Sequence, residues 1–352
     1  MRGEPRVGVV GAGALGFHHA RLLRDLPGVR FAGFYDADPA RAAQVGRELG
    51  VAPHATYDAL LDAADALCVV VPTPAHFGVA REALRRGKHL LIEKPITATL
   101  AEADELLALA AGAGVLVQTG HVERFNRAVR AALPHVEAPR FVESDRLAPF
   151  SPRGSEVAVV LDLMIHDIDL VRTLVGTGGG GAGVREVRAT GVPVLTPTVD
   201  IASARLAFAS GAVANITASR VSRERLRKVR IFQESGYLSL DLAAGSGEFY
   251  RLREGVDVAG LAALGADAAA RAPNGAVPPG PLDLALFVER VPLEAPDGEP
   301  LRLELESFAA ALRGEQPVAV SGADGREALA VALEIVAEIE RTLPALRGGA
   351  AA

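Results

Sequence analysis

A parallel α/β domain followed by an α+β domain is the architecture this sequence predicts, and three observations predict it. Up to about residue 120, short apolar runs alternate with amphipathic stretches, the alternation that builds a doubly wound parallel sheet. A glycine-rich turn, Gly11-Ala12-Gly13-Ala14-Leu15-Gly16, stands where the first apolar run gives way to the first amphipathic stretch. Farther on, short strands follow one another through turns, with one helical stretch early in the series. The parallel domain is placed at residues 1–121. An α+β domain, a mostly antiparallel open sheet with packed helices, is placed at residues 122–343, and a disordered tail at 344–352.

Residues 7–10, 29–35, 66–71, 89–92 and 115–118 read as the parallel strands, because they are nearly continuous in apolar side chains and so suit burial on both faces. Residues 17–26, 39–49, 75–86 and 100–111 read as the helices between them. Gly50, Gly87 and Gly112 stand where helix C-caps fall. In the second part, residues 141–147, 184–194, 202–208, 213–219, 228–233, 237–242 and 249–253 read as strands. Gly211, Gly236 and Gly245 mark turns between some of them. Residues 161–174 read as the early helix, and 301–312 and 325–343 as helices that close the second domain. Residues 177–183, almost all glycine, and 259–281, rich in alanine, glycine and proline, read as poorly ordered, the second as a surface insertion with a lid over the site as the alternative.

Composition narrows the possibilities. A formal charge of -6 over 352 residues offers no broad basic surface for nucleic acid or anionic lipid. Cys68 is the single cysteine and lies in an apolar run, so it reads as a small buried hydrophobe. One cysteine allows neither an internal disulfide nor a cysteine zinc cluster. No leader of the secretory kind precedes residues 6–10, and no apolar stretch reaches membrane-spanning length. A cytoplasmic protein is expected.

The glycine turn has the context that gives such a motif meaning, since it follows a strand and opens a helix. Glycines there permit a tight turn and let backbone N–H groups approach a pyrophosphate at a helix N-terminus, the device of Rossmann dinucleotide sites. Gly11, Gly13, Ala14, Leu15 and Gly16 are the expected phosphate contacts. The second strand ends at Asp36, where a carboxylate accepts hydrogen bonds from the adenosine ribose and repels a 2′-phosphate. Asp38 adds negative charge, and the nearest cation, Arg41, lies within the next helix. NAD is therefore expected rather than NADP.

Thr73, Pro74 and His76 follow the third strand, and Glu93, Lys94 and Pro95 follow the fourth, both at strand C-terminal ends, where open α/β sheets bind ligands. With the glycine loop, the later Asp162-x-x-x-His166 helix and the C-terminal helix, these motifs make the chain resemble the Gfo/Idh/MocA oxidoreductases over nearly its whole length. The resemblance implies that Thr73, Pro74 and His76 line the cofactor cleft and that Glu93 holds the nicotinamide-side ribose. Lys94 would contact cofactor and reacting hydroxyl. Residues 118–126 would form the crossing between domains, with Gln118 at the cofactor and His121, Arg124 and Asn126 reaching the substrate.

Asp162 and His166 are four apart, so a helix puts them on one face, with Asp169 three residues farther on the same side. His166 is expected as general base, because an imidazole titrates near working pH. Lys94, near a cationic nicotinamide, is expected to have a lowered pKa and to hydrogen-bond the developing alkoxide or relay its proton. Asp162 would orient the sugar through a neighbouring hydroxyl. Hydride transfer requires no metal, and none is expected.

The family pattern places a glycine cluster ahead of the aspartate and a glycine two residues after it. Here residues 155–160 lack the cluster and Met164 takes the second place. Together with residues 120–126 and 146–153, this resembles a branch that oxidises C3 of UDP-N-acetylglucosamine for an amino-sugar form of lipid A. Arg124, Arg146 and Arg153 would then hold the diphosphate, since arginine forks suit phosphate oxygens. Phe125 and Phe150 are candidates for stacking on uracil. A free-sugar or cyclitol dehydrogenase, an NAD-retaining glycosidase and a non-catalytic dinucleotide-binding protein remain open. The exposed face of the second sheet is expected to carry a homodimer or homotetramer.

Overall fold

The computed structural model describes residues 3–151, 154, 156–177, 179, 181–256 and 287–348, with side chains described as far as Leu343. Five parallel strands form the first sheet: β1 (Arg6–Val10), β2 (Arg30–Tyr35), β3 (Ala66–Val69), β4 (His89–Glu93) and β5 (Val117–Gly120), in the spatial order β2-β1-β3-β4-β5. All four residues of β3 are buried, because helices cover both faces. Those helices are α1 (Ala14–Arg24), α2 (Pro39–Leu49), α3 (Tyr57–Ala63), α4 (Thr73–Arg85) and α5 (Leu100–Ala113). Asp38 caps α2 by accepting from the Ala40 and Arg41 amides, and a Thr99–Glu102 capping box starts α5. α5 ends at Gly114, with φ 65°, and Gly112 lies inside it. The seven-residue α3 has no long apolar period to announce it, yet Thr56 caps it and it buries Leu60 and Leu61.

After a 3₁₀ turn (Val122–Phe125) and α6 (Arg127–Ala132), the chain enters the second sheet. Its strands are β6 (Phe141–Leu147), β7 (Val184–Val192), β8 (Ile201–Phe208), β9 (Val213–Ser219), β10 (Leu226–Gln233), β11 (Gly236–Asp241), β12 (Ser246–Leu252) and β13 (Val288–Leu293). Among the described residues their order is β13-β12-β11-β10-β6-β9-β8-β7, antiparallel except for the parallel pair β6 and β9. Burial alternates along β6 and β9, so one face is packed and the other open. The packed face meets a π-helical turn (Val160–Met164), which runs into α7 (Ile165–Gly176). β13 was not legible in the sequence: it is an edge strand holding Pro292 among charged residues. Residues 178 and 180 of the glycine-rich stretch, and the expected insertion at 259–281, lie outside the described residues.

The last two helices correct the expected division. α8 (Pro300–Leu312), assigned from sequence to the second domain, returns to the first sheet. There Leu305, Phe308, Ala309 and Leu312 pack with Val7, Val9, Leu22 and Leu23. Before α9 (Gly322–Gly348), the chain lies along β5: the Thr119 amide donates to the Val320 carbonyl at 3.0 Å, and a Cβ on Gly325 would fall 2.2 Å from the Thr119 hydroxyl. α9 then joins the two cores, with Leu329 in the first and Ala332, Ile335 and Ile339 in the second. It runs past Pro344 to Gly348, so only residues 349–352 of the expected tail lie beyond it, outside the described residues.

Candidate active site

The glycine loop is built by close approach. Gly11 has φ 88°, and a Cβ there would sit 2.5 Å from the Val70 carbonyl oxygen. A Cβ on Gly16 would fall 1.9 Å from the Gly11 oxygen, whereas one on Gly13 would meet open space. α1 starts at that open side with no side-chain cap and no acidic residue in its first turn. The amides of Ala14, Leu15 and Gly16 are thus free for an anion, and the loop fits a dinucleotide pyrophosphate. Asp36 is pinned beside it, its carboxylate accepting from the Ala12 amide at 2.5 Å and the Asp38 amide at 2.8 Å. Arg41 reaches back from α2 to donate to the carbonyls of Ala12 (2.7 Å) and Gly13 (3.3 Å), so this cation braces the loop.

At the end of β4, Lys94 leaves the first domain and meets the second. Its Nζ donates to the Asp162 carbonyl oxygen at 2.6 Å and lies 3.5 Å from Asp162 Oδ1. Burial pushes the Lys94 ammonium below the usual lysine range, against the opposing pull of Asp162 and Glu93. Asp162 sits in the π-helical turn rather than in the regular helix expected, a local widening that recurs at functional sites. His166, one turn on, has a buried Nδ1 without a partner, and its ring meets that of His121 edge-on at 6.4 Å. Burial, then the charges of Lys94 and Arg146, hold the His166 imidazole well below its ordinary pKa. Both ring nitrogens of His121 are buried and unpartnered. Lys94, Asp162, His166 and His121 therefore share the joint between the domains, as two strand-end and helix motifs far apart in sequence require.

Residues 5–121 match the family model described as the oxidoreductase family, NAD-binding Rossmann fold, and residues 128–239 match the GFO/IDH/MocA C-terminal domain. The chain is 37% identical over 339 residues to the UDP-N-acetylglucosamine 3-dehydrogenase of Acidithiobacillus ferrooxidans, covering 96% of this chain and 98% of that one. This chain belongs to the Gfo/Idh/MocA oxidoreductase family. A crystal structure of the A. ferrooxidans enzyme superimposes with a TM-score of 0.82 at 34% identity, over 96% of this chain and 98% of that one. The scyllo-inositol 2-dehydrogenase (NAD(+)) of Bacillus subtilis is 30% identical over 241 residues, 63% of this chain and 69% of that one. The chain is an NAD-binding oxidoreductase of that family.

Several expected Gfo/Idh/MocA contacts are spent on the protein itself. His76 is buried, its Nδ1 2.9 Å from the Pro95 oxygen and its Nε2 2.9 Å from the Val71 oxygen, so it ties two strand-end loops together instead of lining the cleft. Thr73 and Pro74 open α4, with Pro74 exposed. Arg124 forks onto Asp169 at 2.8 and 2.6 Å and lies 3.6 Å from Asp324. Arg146 is buried between Asp167 and Glu123. Neither guanidinium is free for a diphosphate, and the Asp169 carboxylate is committed to Arg124. Asn126 caps α6 through Ala128 and donates to Glu123 and the Leu242 carbonyl, so it too is structural. Arg153 lies outside the described residues. Phe150 is exposed near that segment.

Behind Lys94 lies a buried polar group whose His19 and Glu304 the sequence did not single out, beside Glu93 and Gln118, which it placed at the cofactor. Glu93 shares a face of the sheet with Leu91, under α1 and α8, and its Oε1 lies 3.0 Å from Nε2 of the fully buried His19. Burial raises the Glu93 carboxyl, but His19 and Lys94 outweigh it and hold it below the usual range. Gln118, paired in register with Leu91, is fully buried, and neither of its amide atoms has a partner. Glu304 of α8 is buried with both oxygens unpartnered, and burial, with Glu93 and Asp169, raises its pKa well above normal. Such a carboxyl stabilises the fold in its neutral form, so its contribution is full below the unfolded pKa and is lost as pH rises toward the folded one. Glu304→Gln should leave stability unchanged near pH 4 and raise it progressively as pH climbs above the unfolded carboxyl range, by about 1.4 kcal/mol per pH unit over the window where only the unfolded chain ionises. Urea unfolding across pH checks this; parallel curves for the two proteins would refute it.

Proposed function

We propose that this oxidoreductase transfers a hydride from C3 of UDP-N-acetylglucosamine to NAD, leaving the 3-keto sugar. The observation that carries the chemistry is the meeting of Lys94 with Asp162 beside His166 across the domain joint. The full-length identity to a UDP-N-acetylglucosamine 3-dehydrogenase supports the substrate. Gly11, Gly13, Ala14, Leu15 and Gly16 would cradle the pyrophosphate, and Asp36 would receive the adenosine ribose. When bound, NAD supplies the hydride acceptor.

We assign the base to Lys94 and the orienting hydrogen bond to His166, where the sequence reading puts His166 first. His166 is kept neutral by burial and by Lys94, Arg146 and His121, which makes it a poor proton acceptor and a fitting hydrogen-bond partner for the hydroxyl. Lys94, desolvated and pushed down, takes the hydroxyl proton as the hydride leaves. The ammonium that forms is already held by the Asp162 carbonyl and stabilised by its carboxylate. Asp162 also orients the sugar through a neighbouring hydroxyl.

Incubation with NAD and a panel of UDP-sugars, free sugars and inositols, followed by NADH absorbance with an amine trap for the keto product, tests the reading. The highest kcat/KM is expected for UDP-N-acetylglucosamine. A preference for inositol, in line with the more distant scyllo-inositol enzyme, would replace it. Cleavage of an aryl glycoside without net NADH would indicate a glycosidase.

No helix among the described residues is long and apolar enough to cross a membrane. We assign the open face of the second sheet to a second copy of this chain. Phe141, Phe232, Tyr237 and Tyr250 stack there in a row at 5.1–5.5 Å, ending in a groove of about 630 Å³ lined by Tyr237, Tyr250, Leu252 and Val288. Sedimentation should show a dimer or tetramer, and Tyr237→Asp should weaken it. A monomer at micromolar concentration would count against this.

A further inference from the structure

We propose that Arg223 and Arg225, in the loop between β9 and β10, and Arg227, at the start of β10, form the cationic rim that binds the diphosphate of a nucleotide-activated sugar. The inference rests on the sugar-nucleotide reading above and replaces Arg124 and Arg146, which buried carboxylates already occupy. A diphosphate brings two negative charges to a protein of net charge -6, so its cations must be local. Residues 220–230 supply six of them, Arg220, Arg223, Arg225, Arg227, Lys228 and Arg230, against the single acid Glu224.

The structure sorts these six. Arg220 is buried on Asp200 and on the carbonyls of Gly154 and Val157, while Arg230 pairs with Glu143. Arg223 and Arg225 are exposed and, among the described residues, make no hydrogen bond or ion pair. Arg227 keeps a loose contact, 3.6 Å from a Glu123 carboxylate that Arg146 already holds at 2.9 Å, and its side chain is 46% exposed. Val229 and Ile231 are buried on the helix side of the sheet, so strand alternation puts Arg227 on that same side, directly opposite Arg146, and Arg225 lies in the loop two residues before it.

That side is the mouth of the catalytic joint. The Ala148 amide donates to the Ser219 carbonyl at 2.8 Å and the Ser222 amide to the Ala148 carbonyl at 3.1 Å, so the arginine loop rests on the segment leading to Asp162. Arg220 bonds Gly154, and a Cβ on Gly154 would lie 2.7 Å from Asp162 Oδ2. The charge of Arg227 already bears on His166. A sugar whose C3 faces Lys94 carries its C1 diphosphate outward from the joint, toward these guanidinium forks.

Calorimetry with UDP alone, and kinetics with UDP-N-acetylglucosamine, test the rim in the full-length protein with Arg223→Glu/Arg225→Glu and Arg227→Gln, and with Arg225→Ala in case charge reversal disturbs folding. UDP affinity should fall about tenfold or more, and KM for the UDP-sugar should rise by a similar factor. kcat and the KM for NAD should stay within about threefold, and the loss should shrink as salt is raised. If the wild type oxidises the UDP-sugar and the variants match it in KM and UDP affinity, the rim is overturned and the catalytic reading stands. If the wild type binds UDP through these arginines yet prefers another UDP-sugar, the rim stands and the sugar assignment falls. If the wild type neither binds UDP nor oxidises the UDP-sugar, both fall.

Discussion

Lys94→Met is expected to lower turnover by about a hundredfold to ten-thousandfold while NAD affinity stays within about threefold. The side chain reaches from the end of β4 to Asp162, at 2.6 Å from its carbonyl oxygen, and methionine keeps the stem without the amine. Lys94→Arg should fail almost as badly, because a guanidinium cannot give up its proton at working pH. His166→Phe should cost roughly tenfold to a hundredfold, since it removes an orienting hydrogen bond rather than the proton acceptor. The pH dependence separates the two roles. Burial lowers the Lys94 pKa, so wild-type kcat should rise with pH through a limb below the ordinary lysine range and then level off. That limb should persist in His166→Phe. Stopped-flow NADH formation and NAD fluorescence titration make the measurement. Near-normal turnover in Lys94→Met, or loss of the limb in His166→Phe, would reject this assignment.

Arg146→Met should cost about 3–5 kcal/mol of stability, the largest effect expected outside the catalytic groups. Arg146 is nearly inaccessible and donates to Asp167 at 2.5 and 3.2 Å and to Glu123 at 2.9 Å, with Ser144 donating to Asp167 as well. Removing the cation leaves Asp167 in the interior without its counter-charge and Glu123 with only the looser Arg227. Most of the cost is that stranding, so Arg146→Met combined with Asp167→Leu and Glu123→Gln should recover much of it. Urea denaturation of the single and triple variants distinguishes this from loss of packing alone: equal destabilisation of both would argue that the charges do not matter.

The first sheet was legible because parallel strands buried on both faces leave continuous apolar runs, and because Gly11, Gly50 and Gly16 stand where backbone geometry admits little else. Lys94, Asp162 and His166 were legible because each sits at a strand end or on a helix whose position follows from the pattern. What stayed hidden was pairing at long range. Arg124 and Arg146 look like free cations in the sequence; only the fold puts Asp169 and Asp167 against them. His19 and Glu304 are ordinary polar positions on amphipathic helices until α1 and α8 close over Glu93. The π-helical turn changes backbone hydrogen bonding without changing residue type, so Asp162 offered no sign that its carbonyl would hold Lys94. Nor does periodicity say which sheet a helix will join, and α8 joined the one from which the chain had departed some 180 residues earlier.

That return has a consequence for how the polypeptide reaches its native state on the ribosome. The face of the first sheet that receives Leu305, Phe308 and Leu312 is synthesised early, and its cover emerges some 180 residues after β5. Until then the nascent chain carries an uncovered oily surface, the condition that recruits chaperones and invites misassembly. Removing α8 would therefore injure the dinucleotide-binding half, even though the expected pyrophosphate contacts lie in residues 11–16.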